Sequence, residues 1–186
     1  MKKYFPFFLI FYTSLILSQE KLPYYEIPEA PKEFTPGTTA SRMVDGLGFR
    51  YYWATEGLTE KDLAFQPNAE ARTTLATIDH ILGLSQVILN ATLKVGNGAK
   101  QPKMTFAEKR KKTLENFQEA SGILRESKDI SQYKMIFGKT EFPFWNAING
   151  PIADAIWHVG QVVSFRRSSG NPFPKGVSVL RGTKSE

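Results

Sequence analysis

Apolar side chains recur along this chain at helical rather than strand spacing, and four stretches carry the recurrence far enough to specify elements. In SRMVDGLGFRYYWATEGL, Met43, Leu47, Tyr51 and Ala54 follow one another at steps of four, four and three, the repeat of one helix face. Thr38, Thr39 and Ser41 offer N-caps before it, and Gly57 offers a stop after it. A second helix is expected from Thr73 to about Leu93. Placed at helical intervals, Ala76, His80, Leu84, Val87 and Ala91 share one apolar line, and Asp79, Gly83 and Gln86 form a narrow polar side. His80 is therefore expected to point inward. A third helix over 105–127 opens with a Thr-x-x-Glu capping box, Thr105 to Glu108. The fourth begins near Gly150, with Pro151 at the first helical position, where its missing N–H costs nothing. It runs to about Arg167, before SSGNP. Ile152, Ile156, Val159 and Val163 make its expected core stripe, with Asp154, His158 and Phe165 on the flank of that stripe.

Between these stretches the pattern weakens. Residues 19–37, with four prolines and no periodicity, read as an extended arm. Residues 59–71 read as a turn or short helix ending in a Pro-Asn bend, Tyr133 to Phe137 as a short β-like patch, and the tail after Pro172 as irregular. Four helices joined by short to medium connections predict an all-α fold, most economically a four-helix bundle, in one domain over 38–186. Such folds build sites from side chains on facing helices.

Two features change where this domain is expected to reside. Lys2 and Lys3, an apolar run from Tyr4 to Leu17 and then Ser18 have the layout of a secretory signal peptide over residues 1–18. The run contains Pro6 and is shorter than the roughly 18–20 residues that span a bilayer. The expectation is a periplasmic or secreted protein, with its mature chain starting near Gln19 and no stable membrane anchor. The chain has no cysteine, so disulfides, thiol nucleophiles, thiolate ligands and a lipidated N-terminus are all excluded, and a metal must be held by nitrogen and oxygen. Without Lys2 and Lys3 there remain 22 basic residues against 18 acidic ones, a mild bias that gives no reason to expect a nucleic-acid partner. The densest basic run, EKRKKTLE over 108–115, reads as a solvated helix face.

The candidate chemistry lies in DAIWHVGQVVSFRR, residues 154–167, which holds one of only two histidines. Asp154 and His158 are four apart and so share a helix face. An inward His80 on the facing helix completes a set of two imidazoles and one carboxylate with open positions, suited to a divalent transition metal such as Zn, Ni, Fe or Mn. A histidine on an apolar face also serves as an ordinary hydrogen-bonded core residue, and spacing alone leaves both readings open. Glu56, Asp79 and Glu141 are candidate general bases, though nothing in the sequence selects one. Tyr52, Trp53, Phe144, Trp145 and Trp157 are candidates for an apolar pocket, or for core. Gly160 and Gln161 read as structural, one admitting a close helix and the other closing a hydrogen bond, and Arg166 and Arg167 as complements to a helix dipole. There is no Gly-x-Ser-x-Gly elbow, phosphate-binding glycine loop or dinucleotide fingerprint.

From about Ser41 to Gly170, the helical order, the stretch GLTEKDLAFQPNAEARTTLATIDHILGL and the final DAIWHVGQVVSFRR resemble the DinB-like/YfiT superfamily of bacterial four-helix, metal-binding proteins. The resemblance implies that His80 corresponds to the family's ligand in the second helix. His158, followed by Val159, Gly160 and Gln161, corresponds to the last ligand. Where the family carries a middle histidine, this chain has Asp154. The resemblance further implies either thiol-dependent transfer or hydrolysis. Export argues against the first, because low-molecular-weight thiols are kept in the cytoplasm. A metal-dependent hydrolase acting on a small molecule is therefore the expectation, and a non-catalytic binding module with a degenerate site is the alternative. Homodimerisation through helix faces is common in such bundles, but no apolar stripe selects an interface.

Overall fold

The computed structural model describes residues 21–185, and these are mostly helical, as an all-α fold requires. The signal-peptide reading of residues 1–18 lies outside the described residues. Among those described, no helix is long and apolar enough to cross a membrane.

Among the described residues six α-helices occur in the order α1 Pro36–Thr55, α2 Glu60–Ala64, α3 Thr74–Leu93, α4 Phe106–Arg125, α5 Phe144–Ala147 and α6 Ala153–Ser169. The four long ones form a closed circuit: α1 packs on α4, α4 on α3, α3 on α6 and α6 on α1. Val44, Leu47, Ile81, Phe117, Leu124 and Val162 are fully buried between them. α3 shows why burial and not propensity sets these helices. Thr74, Thr77, Ile78, Ile81 and Ile88 are β-branched, each costing up to about 0.7 kcal/mol of helix propensity. All five are buried, and about 1.5–3 kcal/mol for each of the three isoleucines outweighs the summed propensity cost.

The cap of α1 is Thr35, not Thr38, Thr39 or Ser41. Thr38 N donates to Thr35 Oγ1 at 3.1 Å and Thr35 N to Thr38 Oγ1 at 2.8 Å, while Pro36 takes the first helical position. The segment before α1 is irregular but packed. Tyr24 is buried with its hydroxyl donating to Asp45 Oδ1 at 3.1 Å, and its ring lies 2.5 Å from where a Cβ on Gly48 would sit. Asp45 also accepts from Arg125 Nη2 at 2.7 Å, so this buried carboxylate joins the arm, α1 and α4.

The α4 capping box forms as expected, with Thr105 N donating to Glu108 Oε2 at 2.7 Å. The patch near Tyr133 is strand β2, Lys134–Phe137, paired in parallel with β1, Gly96–Asn97, and antiparallel with β3, Thr140–Pro143. The tail holds an antiparallel pair not legible in the sequence, β4 Val177–Ser178 with β5 Thr183–Lys184. It is tied to the N-terminal segment by Ile27 N donating to Gly182 O at 2.9 Å.

Two expected apolar lines are rotated. On α3 the buried residues include Ile78, Ile81, Ser85 and Ile88, so His80 stands on the flank of the core and Ala76 is exposed. On α6 the buried line is Ile152, Ala155, Val159, Val162 and Arg166. Ile156 is exposed, because no long helix covers that side.

α2 is held by Asp62, a buried carboxylate that accepts from Thr59 N at 2.8 Å and Asn171 Nδ2 at 2.7 Å, and from Ser169 Oγ. Burial alone would raise its pKa, but these hydrogen bonds outweigh burial and hold it well below the usual carboxylate range. The native state therefore keeps Asp62 ionised at pH values where the unfolded chain protonates it. Its contribution to stability is full above the ordinary aspartate value of about 3.9 and is lost as pH falls below it. Acid titration of the unfolding free energy should show the gap between the parent and Asp62→Asn shrinking below about pH 4. A gap independent of pH would show that ionisation of Asp62 contributes nothing.

Candidate metal centre

α6 starts where it does because the chain breaks at Gly150, whose φ of −90° and ψ of −110° are non-helical. Pro151 follows, and a π-helical turn over Ile148–Ile152 leads into α6. Asp154 thus falls in the first turn of α6, where a carboxylate complements the positive end of the helix dipole. His158 lies one turn on. Packing of α3 against α6 brings His80 to both.

The three side chains converge. His80 Nε2 is 3.2 Å from Asp154 Oδ2, and His158 Nε2 is 3.3 Å from Asp154 Oδ1. The imidazole planes are at 90° with centroids 4.6 Å apart, and one ligand atom from each residue falls within 4.8 Å of the others. Donors about 2.0–2.1 Å from a shared ion lie roughly 2.8–3.0 Å from one another at octahedral angles and roughly 3.3–3.4 Å at tetrahedral ones, so both imidazole–carboxylate separations are close to the tetrahedral size. Two nitrogens and a carboxylate also form a donor set that borderline transition ions accept. The cluster can hold a metal ion. It lies at the edge of the protein: the side chains of His80, Asp154 and His158 are 33%, 39% and 13% exposed, which leaves room for further ligands.

Gln161 completes the set from behind. Its Oε1 is 2.7 Å from His158 Nδ1. With the amide oxygen as acceptor, Nδ1 carries the proton and Nε2, on the side of Asp154, is the atom left to ligate. A hydrogen bond from Gln161 was legible in the sequence, but its partner was not. The signal lies in the three-residue step from His158 to Gln161, which places both on one helix face.

No protein-family model matches the chain, and no curated protein or solved structure matches it. The assignment of the site therefore rests on its geometry.

Other residues singled out in the sequence lie elsewhere. Trp145 and Trp157 are 75% and 72% exposed. Phe144 packs against Tyr133, and Trp53 is buried with its indole N–H donating to Tyr25 O at 3.1 Å. Tyr52 stacks under Arg110. The candidate bases are held in ion pairs: Glu56 with Arg110, Asp79 with Lys109 at 2.6 Å and Glu141 with Lys134 at 2.8 Å. Gly160 admits no helix, for a Cβ there would meet nothing within 4 Å. Arg166 does not serve the dipole of its own helix from solvent. It is buried and caps the end of α1, with Nη1 donating to Trp53 O and Ala54 O, each at 3.0 Å.

Proposed function

We propose that this chain is a DinB-like four-helix-bundle protein that uses His80, Asp154 and His158 to hold a divalent transition metal, and that it acts as an exported metal-dependent hydrolase on a small molecule. The observation that carries the reading is the convergence of two imidazole Nε2 atoms on the two oxygens of one carboxylate, drawn from helices that meet only in the folded chain. The bound ion would supply a Lewis acid at an exposed edge of the protein, where a small substrate can approach. Gln161 holds the tautomer of His158, Asp154 supplies the single negative charge among the ligands, and α3 and α6 fix the spacing.

A second reading draws on the same carboxylate. With a proton on each Nε2, which for His158 requires either the doubly protonated ring or a turned Gln161 amide donating to Nδ1, Asp154 accepts from both histidines, and the triad then works as a clasp between α3 and α6 in a non-catalytic module with a lapsed site. The two readings separate on metal content, measured by mass spectrometry on protein purified without a histidine tag, beside His80→Ala and His158→Ala. Near-stoichiometric transition metal, lost in both variants, is the expected result. A metal-free parent with both variants folded would overturn the metal reading and leave the clasp.

Gln161→Leu is expected to keep the fold and to weaken metal affinity by roughly 10–100-fold, the usual cost of losing the partner that orients a ligating histidine. Affinity equal to the parent's in a competition titration would remove Gln161 from this role.

A further inference from the structure

The side of α6 turned away from the metal centre carries a hollow that the site does not use. Along the helix, Ile156, Gly160, Val163 and Arg167 stand roughly half a turn from Asp154, His158 and Gln161. With Arg50 of α1 and with Phe173 and Val179 of the tail, they line a depression of about 410 Å³, within the range of small-molecule sites. Its walls are aliphatic and aromatic, and Ile156 and Val179 remain 37% and 39% exposed. Gly160 lies on the helix wall, and the space its missing side chain would take is open to beyond 4 Å.

The charge in this hollow is one-sided. Arg50 and Arg167 both line it, and no carboxylate does. Arg50 Nη1 donates to Gly46 O at 2.8 Å, which leaves most of its guanidinium donors unspent. Burial lowers its pKa, as befits a cation partly withdrawn from water with no counter-charge beside it. The Arg167 backbone carbonyl accepts from Gly170 N at 3.3 Å, and its guanidinium has no hydrogen-bond or ion-pair partner among the described residues. Two guanidinium forks beside apolar walls match an anionic head on an apolar body: the forks take a carboxylate or phosphate in two-point hydrogen bonds, and the walls cover the chain.

We infer that the hollow between α6, Arg50 and the C-terminal tail is a binding site for a small amphiphilic anion, separate from the metal centre and independent of its assignment. Calorimetric titration of the full-length protein with decanoate tests this, with decyl phosphate, decanol and acetate run beside it. Decanoate or decyl phosphate should bind while decanol and acetate do not, and the tighter of the two anions identifies the head group. Arg167→Ala should weaken binding roughly tenfold or more. Gly160→Leu, at an exposed helical position where leucine favours the helix, should abolish binding, with thermal stability at or above that of the parent and metal content unchanged. The inference is overturned if neither anion binds, if decanol binds as well as decanoate, or if Gly160→Leu binds as the parent does.

Discussion

Alanine at Asp154 is expected to abolish the proposed metal binding, and histidine at the same position to retain it. Asp154 is the one residue of the set that meets both others, at 3.2 Å from His80 Nε2 and 3.3 Å from His158 Nε2, and it carries the only negative charge among the ligands. Removing it leaves two neutral imidazoles on different helices with no shared partner. The loss should exceed the roughly 10–100-fold that accompanies deletion of a group merely behind a ligand. Histidine restores a third donor on the same helix turn and shifts preference toward ions that favour nitrogen. Asp154→Asn keeps the shape without the charge and should fall between alanine and the parent. Metal content after dialysis, together with zinc titration of each variant, reads all three. If Asp154→Ala binds as tightly as the parent, the carboxylate only orients the histidines. If the parent takes no metal and Asp154→His does, the site has lapsed in this chain and the clasp is what remains.

The largest loss of stability is expected from Arg166→Met. Arg166 is 2% exposed, and its guanidinium spends four hydrogen bonds at one corner of the fold. Nη1 reaches Trp53 O and Ala54 O at 3.0 Å, Nε reaches Asn171 O and Nη2 reaches Asn171 Oδ1, both at 2.9 Å. Asn171 in turn donates to Asp62 and to Gly57 O, so one side chain joins the end of α1, the α2 connection and the turn that follows α6. Burial lowers the pKa of Arg166, with the charges of Asp62 and Glu56 opposing that shift. Methionine matches much of the length but leaves two buried α1 carbonyls unpaired and the part-buried Asn171 acceptors without their donor, at a cost of about 3 kcal/mol or more. For a chain of this size that corresponds to a fall in Tm of roughly 6–12 °C. Arg166→Lys should recover less than half of it, because one ammonium cannot span bonds spread over a planar fork. Thermal and urea unfolding measure both variants. A methionine variant within about 1 kcal/mol of the parent would show that water replaces the network without penalty.

The sequence by itself determined what depends on neighbours along the chain. The capping box at Thr105 and Glu108, the start of α3 at Thr73–Thr74 and the break at Gly150–Pro151 are local hydrogen-bond and φ/ψ preferences, and each stands where the residues place it. The shared face of Asp154 and His158 is likewise a property of helical spacing. Which side of each helix is covered was not legible in this way. Leu84 and Val87 beside His80 and Ile156 beside Trp157 are as apolar as the residues that are buried, so periodicity set the line on α3 and on α6 slightly askew. Helix packing then turned His80 to the flank and left Ile156 in the hollow. Arg166 was misplaced for the same reason: a cation near a helix C-terminus satisfies the local rule, and only the approach of α1 gives it buried carbonyls to cap. The meeting of His80 with Asp154 across 74 residues belongs wholly to tertiary structure, because the geometry of this cluster is set by the distance between two helices.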